Sequence, residues 1–325
     1  MVRRAAPALT RHTRAMHAPQ FRPTLRLADR TLDLARPALM GVVNANPDSF
    51  SDPGERPLDA QLAQVRAMVA DGATMIDVGG QSGITNVPEV DPAVEIERVA
   101  PLVAGIVAEF PDVAISVDTY KPPVVEAVLA AGAHIVNDVS GLRAPELAPL
   151  VAEHGAGLVV MHTAAPPKTR LQRSDLYGDI VAEVRDFLAA KVDEAVAAGV
   201  DPASILVDPG PDFTKTPAQT IEVLRHLEAL DPDGLPMLLA ISRKDFIGAL
   251  TATQPKERLA GTLAATAVVG SGSGVVLRVH DVGEVRRFLT VFDALAGDEA
   301  IDPELRLADE LRWAAGRPDG TVAAP

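Results

Sequence analysis

A chain of 325 residues has room for two average domains, or for one α/β barrel of about 250 residues. With 47% hydrophobic and only 3% aromatic residues, its core must be built from Val, Leu, Ile and Ala. An excess of 44 acidic over 30 basic residues, −14 in net charge, argues against a nucleic-acid or anionic-membrane surface. The absence of Cys excludes disulfides, thiolate catalysis and Cys-zinc sites.

The chain opens with a basic extension, residues 1–24, that has several Arg and no acid. It lacks the apolar stretch of a secretory signal and reads as disordered, with a transit peptide as the alternative. LRLADRTLDLA (25–35) alternates apolar and polar residues around Asp29-Arg30 and predicts a short hairpin. Next comes a repeating pattern of short β-branched runs and longer Ala/Leu/Val/Glu-rich stretches of helical character. The strands are ALMGVVN (38–44), TMIDVGG (74–80), AISVDT (114–119), HIVND (134–138), GLVVMH (157–162), ILVDPG (205–210), MLLAISRK (237–244) and VVLRVHD (275–281). Helix starts are marked by Asp91-Pro92 and by Lys121-Pro122. Continuous apolar strands joined by helical crossovers form a parallel sheet covered on both faces. Eight units favour a closed (β/α)8 barrel of the TIM type over residues 25–296, and no GxGxxG follows the first strand to suggest a dinucleotide fold. Residues 297–325 read as a charged helix or tail that frays beyond Trp313. No apolar run approaches the roughly 18 residues needed to span a bilayer.

Every strand ends in a polar residue: Asn44, Asp77, Asp118, Asn137-Asp138, Met161-His162, Asp208, Ser242-Arg243-Lys244 and Arg278-Val279-His280. Any one of these can serve as a helix cap or turn residue. A barrel, however, gathers all its strand C-termini on one face, where such enzymes carry their chemistry. Asp118, Asn137 and Asp208 suit the hydrogen-bonding edge of a flat, nitrogen-rich ring, since a carboxylate pairs bidentately with an amidine-like edge. Arg278, a planar fork, and Lys244, a point charge, suit a phosphate. Asn44, on the strand beside the last one, can share that phosphate or a bound Mg2+ with Arg278 and His280.

These residues carry a close resemblance to the dihydropteroate synthase family over about residues 25–295. The matching stretches are NANPDSFSDPG, DVGG, ISVDTYKP, VNDVSG, VVMH, DPG with a following Phe-x-Lys, SRKDFIG and RVHDV, in the family's order. The resemblance implies a transferase of folate biosynthesis that joins 6-hydroxymethyl-7,8-dihydropterin diphosphate to 4-aminobenzoate and releases diphosphate with the help of Mg2+. It implies that Asp118, Asn137 and Asp208 hold the pterin edge, that Met161 packs on the ring, and that Lys244 bonds its carbonyl and N5 side. Asn44, Arg278 and His280 would hold the diphosphate and metal. Asp48 and Asp52 would order the loop after the first strand, and Phe213 and Ser242 would complete the aminobenzoate wall with Lys244. A cytoplasmic homodimer, paired through helices around 217–296, is also implied. RLAGTLAATAVVGSGSG (258–274) is the apolar helix in that stretch, and burial against the barrel wall is its other reading.

The sequence departs from the family in three loops. Where the family has G-E-S-T-R-P-G, this chain has Gly80-Gln81-Ser82-Gly83-Ile84-Thr85-Asn86, which removes a hydroxyl, a cation and a proline from the aminobenzoate side. Asn46 replaces a Thr, and Pro211-Asp212-Phe213-Thr214 replaces a Gly-rich loop. Three functional readings follow: a synthase, slow or altered in its second substrate; a non-catalytic paralogue that binds pterin diphosphate; or a methyltransferase pterin domain. The cationic SRK and RVHD strand ends disfavour the third, because a methylated folate needs no diphosphate cradle.

Overall fold

The computed structural model describes residues 20–45, 58–81, 88–230 and 233–312. The chain divides into two compact units, one up to Arg286 and one from Arg287. In the first unit, the short hairpin β1 (Thr24–Arg26) and β2 (Thr31–Asp33) pairs antiparallel, with Leu25 opposite Leu32. The parallel strands β3 (Ala38–Asn44), β4 (Met75–Gly79), β5 (Ala114–Asp118), β6 (Ile135–Asp138), β7 (Gly157–Met161), β8 (Ile205–Asp208), β9 (Met237–Leu239) and β10 (Val275–Val279) follow it. They close into one eight-stranded barrel, in which β10 pairs with β3 from Val276 opposite Ala38 to Val279 opposite Gly41. The expected (β/α)8 barrel is therefore present.

The crossover helices are α1 (Leu58–Ala70), α2 (Pro92–Glu109), α3 (Pro122–Ala130), α4 (Leu147–Glu153), α5 (Ile180–Ala197), α6 (Pro217–Arg225), α7 (Asp245–Thr251) and α8 (Leu259–Val269). Their starts follow from local chemistry. Asp91 caps α2 by accepting from the Ala93 N–H at 2.9 Å, with Pro92 supplying the fixed φ of a first helical residue. Thr216 and Gln219 form a reciprocal capping box on α6, again with Pro at its start. Lys121, before α3, caps nothing with its side chain. Its ammonium turns instead to Glu95 Oε2 at 2.8 Å, Gln81 Oε1 at 3.1 Å and the Val90 carbonyl.

One apolar cluster joins the hairpin to the barrel interior. Leu25, Leu27 and Leu34 pack against Met40, Met75, Ile135, Leu206 and their neighbours, so the hairpin plugs the end of the barrel away from the strand C-termini. The chemistry is thereby confined to the opposite face.

The run expected as a strand over 237–244 leaves the ladder after Leu239. Ala240 and Ile241 remain buried, but Arg243 lies at φ 59°, a left-handed conformation incompatible with continued pairing. The last helix, α9 (Val282–Ala296), begins in the first unit and continues in the second. Beyond it, residues 297–312 contain one 3-10 turn, Asp309–Leu311, and no α-helix.

Candidate active site at the barrel mouth

Strand register assembles the first half of the site. Asn44 lies opposite Gly79, Gly79 opposite Asp118, and Asp118 opposite Asn137, so these four form one rung at the C-terminal rim. Met161 pairs with Asp208 across β7 and β8. A Cβ on Gly79 would lie 3.7 Å from Asn44 Oδ1 and 3.9 Å from Asp118 Cβ; the missing side chain leaves that space free.

Below the rung sits Asp77, fully buried. It accepts from Ser116 Oγ at 2.6 Å, from Asn137 Nδ2 at 3.4 Å on each oxygen, and from Arg278 Nε at 2.6 Å. The other arm of Arg278 reaches Asp118 Oδ2 at 3.1 Å. One guanidinium thus ties β4, β5 and β10 together across the barrel. Desolvation raises the Asp118 carboxyl to about 7, against the pull of Arg278 and with a further push from the Asp77 charge. Asp208 is also raised by desolvation, opposed by the Gly210 N–H, which it accepts at 2.8 Å, and by Lys244 and Lys215. Asn137 is 98% buried; its amide nitrogen faces Asp77, and among the described residues its Oδ1 is the buried side-chain polar atom with no partner.

On the far side, the Lys244 ammonium lies 4.5 Å from the centroid of the Phe213 ring, a cation–π arrangement. Desolvation lowers its pKa, opposed by Asp212 and Asp208. Buried Ser242 shares a hydrogen bond with His280 Nδ1 at 3.0 Å and also accepts from the His280 backbone N–H at 3.3 Å. Desolvation, then the charges of Arg278 and Arg243, push the His280 imidazole down to about 4, although the residue as a whole remains solvent-exposed.

Arg243 is held bidentately by Asp281, at 2.9 and 2.5 Å. Arg278 is turned towards the two acids and Lys244 towards Phe213. Both cations expected at the phosphate, Arg278 and Lys244, act on Asp118 and Asp208. Asp48, Asp52, Asn46 and Gly83-Ile84-Thr85 lie outside the described residues.

Sequence reasoning placed Asp77 at a strand end, and Lys215 at the close of the Phe-x-Lys match, without giving either a role. That lysine has no exposed surface; it donates to His162 Nδ1 at 2.7 Å, to the Gly210 carbonyl at 3.0 Å and to the Phe213 carbonyl at 3.1 Å. Burial holds Lys215 at about 7 and His162 at about 2. A lysine two residues after a loop Phe gives no signal of burial; only the fold reveals it.

Chemically, this mouth offers two carboxylates and an amide acceptor to an N–H-rich edge, with cations on two flanks. The comparisons agree. The profile of the pterin binding enzyme family matches residues 40–280. The chain is 40% identical over 279 residues to a dihydropteroate synthase of Synechocystis sp., covering 85% of this chain and 96% of that protein. It is also 40% identical over 268 residues to the protein called inactive dihydropteroate synthase 2 of Mycobacterium tuberculosis, covering 81% and 84%. The Xanthomonas albilineans dihydropteroate synthase in complex with 7,8-dihydropteroate superposes with a TM-score of 0.74 at 38% identity, covering 84% of this chain and 99% of that one. Eight strands in register, the polar rung and this agreement over most of the sequence lead to one conclusion: the chain belongs to the dihydropteroate synthase family of pterin-binding enzymes.

Proposed function

We propose that the barrel mouth joins 6-hydroxymethyl-7,8-dihydropterin diphosphate to 4-aminobenzoate. The C–O bond between the pterin methylene and diphosphate breaks, a C–N bond to the arylamine forms, and the amine proton leaves to solvent. The observation that carries this reading is Asn137 Oδ1, a buried acceptor without a partner, on the residue paired with Asp118. Such an atom costs about 1–3 kcal/mol, and a ligand N–H would satisfy it.

In this reading Asp118, Asn137 and Asp208 orient the pterin edge, and Met161 packs on its face. Lys244 bonds the ring on the carbonyl and N5 side, with Phe213 and Ser242 walling the amine. Arg278 and His280 hold the leaving diphosphate. The barrel contributes fixed charges and exclusion of water more than proton transfer.

Mg2+ fits as a partner of the diphosphate. Among the described residues no group of three or more His, Asp or Glu is placed to hold a metal by itself. Asn44, whose Oδ1 borders the space left by Gly79, offers one hard oxygen, which suits a cation bound mostly by substrate oxygens and water. The ion would neutralise diphosphate charge; Asp48 and Asp52 would order the neighbouring loop. A homodimer through the last third of the barrel draws support from Leu250 and Val268, which are 69% and 52% exposed on α7 and α8. Only Thr262, Thr266 and Val269 of α8 are buried. A cytoplasmic place fits the described helices, none of which is long and apolar enough to cross a membrane.

A second reading, a pterin-diphosphate binder without turnover, is favoured by Gly83-Ile84-Thr85 and by the likeness to the M. tuberculosis protein. Diphosphate release measured with and without 4-aminobenzoate, beside calorimetry with the pterin diphosphate, separates the two. Aminobenzoate-dependent release establishes the synthase, and binding without release establishes the second reading. No binding sinks both.

A further inference from the structure

The loop between β8 and α6 sets three residues in the left-handed region: Gly210 at φ 63°, Asp212 at 66° and Thr214 at 53°. Asp tolerates this conformation better than most residues but still less well than Gly. The side chain it places there reaches across the mouth. Asp212 Oδ2 accepts from the backbone N–H groups of Asp245 at 2.6 Å and Phe246 at 3.3 Å, the first turn of α7. Its Oδ1 accepts from Thr220 Oγ1 at 3.2 Å, and its own N–H donates back to that oxygen at 3.0 Å.

Helix α7 needs this partner. Its N-cap residue is Lys244, whose side chain makes no capping bond. A carboxylate from a neighbouring loop therefore terminates the helix that carries Lys244. The residue after Asp212 is Phe213, over whose ring the Lys244 ammonium lies. One residue thus braces both the helix start that follows Lys244 and the neighbour of the ring on which its side chain rests.

We infer that Asp212 is a positioning residue that seats Lys244 over Phe213 and lends its negative charge to that wall of the site. The inference rests on the proposed role of Lys244 at the substrate. The charges facing Lys244 are Asp212 and Asp208 from the β8 end, Asp118 from β5, Asp245 on α7, and the opposing Arg278, Lys215 and His280. Asp118 is engaged by Arg278, and exposed Asp245 is engaged by Arg258 at 2.9 Å. Among the charges favouring the ammonium, Asp212 ranks ahead of Asp208, while desolvation works against both.

The test reads Lys244 directly. The chain has six lysines, so reductive methylation with 13C-formaldehyde gives a sparse spectrum, and Lys244→Arg assigns the resonance. Asp212→Asn retains an oxygen for the α7 N–H groups but removes the charge. We expect the Lys244 titration midpoint to fall, with a matching loss of ammonium above it. The alkaline limb of pterin-diphosphate affinity should move with it, while Asp245→Asn, whose carboxylate Arg258 already engages, should move the midpoint less. If the Asn variant does not fold, Asp212→Ser provides the same readout. An unchanged midpoint in the charge-free variant overturns the inference, since a purely structural cap would leave it so. Failure of the wild type to bind pterin diphosphate would instead remove the proposed function and leave the titration result standing.

Discussion

Asn137 offers a test in which stability and binding must move in opposite directions. Its amide nitrogen makes only long contacts of 3.4 Å to Asp77, and Asp77 keeps Ser116 and Arg278 without it. Its Oδ1 is buried without a partner, at a cost of about 1–3 kcal/mol, whereas the two long contacts return roughly 0.5–1 kcal/mol. Asn137→Leu, of the same branching, should therefore stabilise the ligand-free protein by about 1 kcal/mol, about 1–3 °C in Tm. The same change leaves a ligand N–H unpaired, and should weaken pterin diphosphate by about 1.5–3 kcal/mol, more than tenfold in Kd. At 100 times the wild-type Kd, the ligand adds about 2.7 kcal/mol to the wild type but only about 0.3–1.3 to the variant. The order of melting should consequently invert: Leu above Asn without ligand, Asn above Leu with it. Thermal unfolding with and without pterin diphosphate decides the matter. A variant destabilised without ligand, or one shifted by ligand as much as the wild type, would refute the reasoning.

Arg278→Lys keeps the charge but loses the fork that spans Asp77 and Asp118. It should lower Tm and weaken the diphosphate substrate more than free hydroxymethyl pterin; calorimetry with equal losses for the two ligands would place Arg278 away from the diphosphate. Lys215, held at about 7 in the fold, carries fewer protons there than in the unfolded chain between pH 7 and its ordinary value near 10.5. It should make stability rise with pH across that window, and denaturant titrations should show Lys215→Met lacking that rise; an identical slope would mean the ammonium is not desolvated. Replacing Gly83-Ile84-Thr85 by Thr-Arg-Pro should raise kcat/KM for 4-aminobenzoate and sulfonamide sensitivity together, unless those positions face away from the second substrate.

The barrel was legible because parallel strands buried on both faces must be written as unbroken apolar runs, and each run stopped at a polar rim. ILVDPG and VVLRVHD therefore located their strands to within about two residues, a usual margin at element ends. MLLAISRK did not, because Ile241 is as buried as any strand residue while the turn at Arg243 has already broken the ladder. The acids of the site could be read off the strand ends, but the partners of its cations could not. Asp281 lies 38 residues from Arg243, and Asp77 lies 201 from Arg278; each pairing exists only once the barrel has closed. Lys215 was hidden for a related reason, since its acceptors are mostly backbone carbonyls, which every residue carries.

The plug at the closed end has a consequence for synthesis. The chain's first described residues are stitched to its late ones: the Phe21 N–H donates to the Ser273 carbonyl at 3.0 Å, the Arg22 N–H to Gly234 at 2.7 Å, and Gly274 to the Leu34 carbonyl at 2.7 Å. Ser273 Oγ also reaches Phe21, 252 positions earlier. At roughly 5–20 residues per second, the hairpin emerges from the ribosome about 12–50 s before the strand that completes its seat. Throughout that interval Leu25, Leu27 and Leu34 have no finished pocket, so the nascent chain presents a sticky segment whose burial is completed only when Val276 of the last strand arrives.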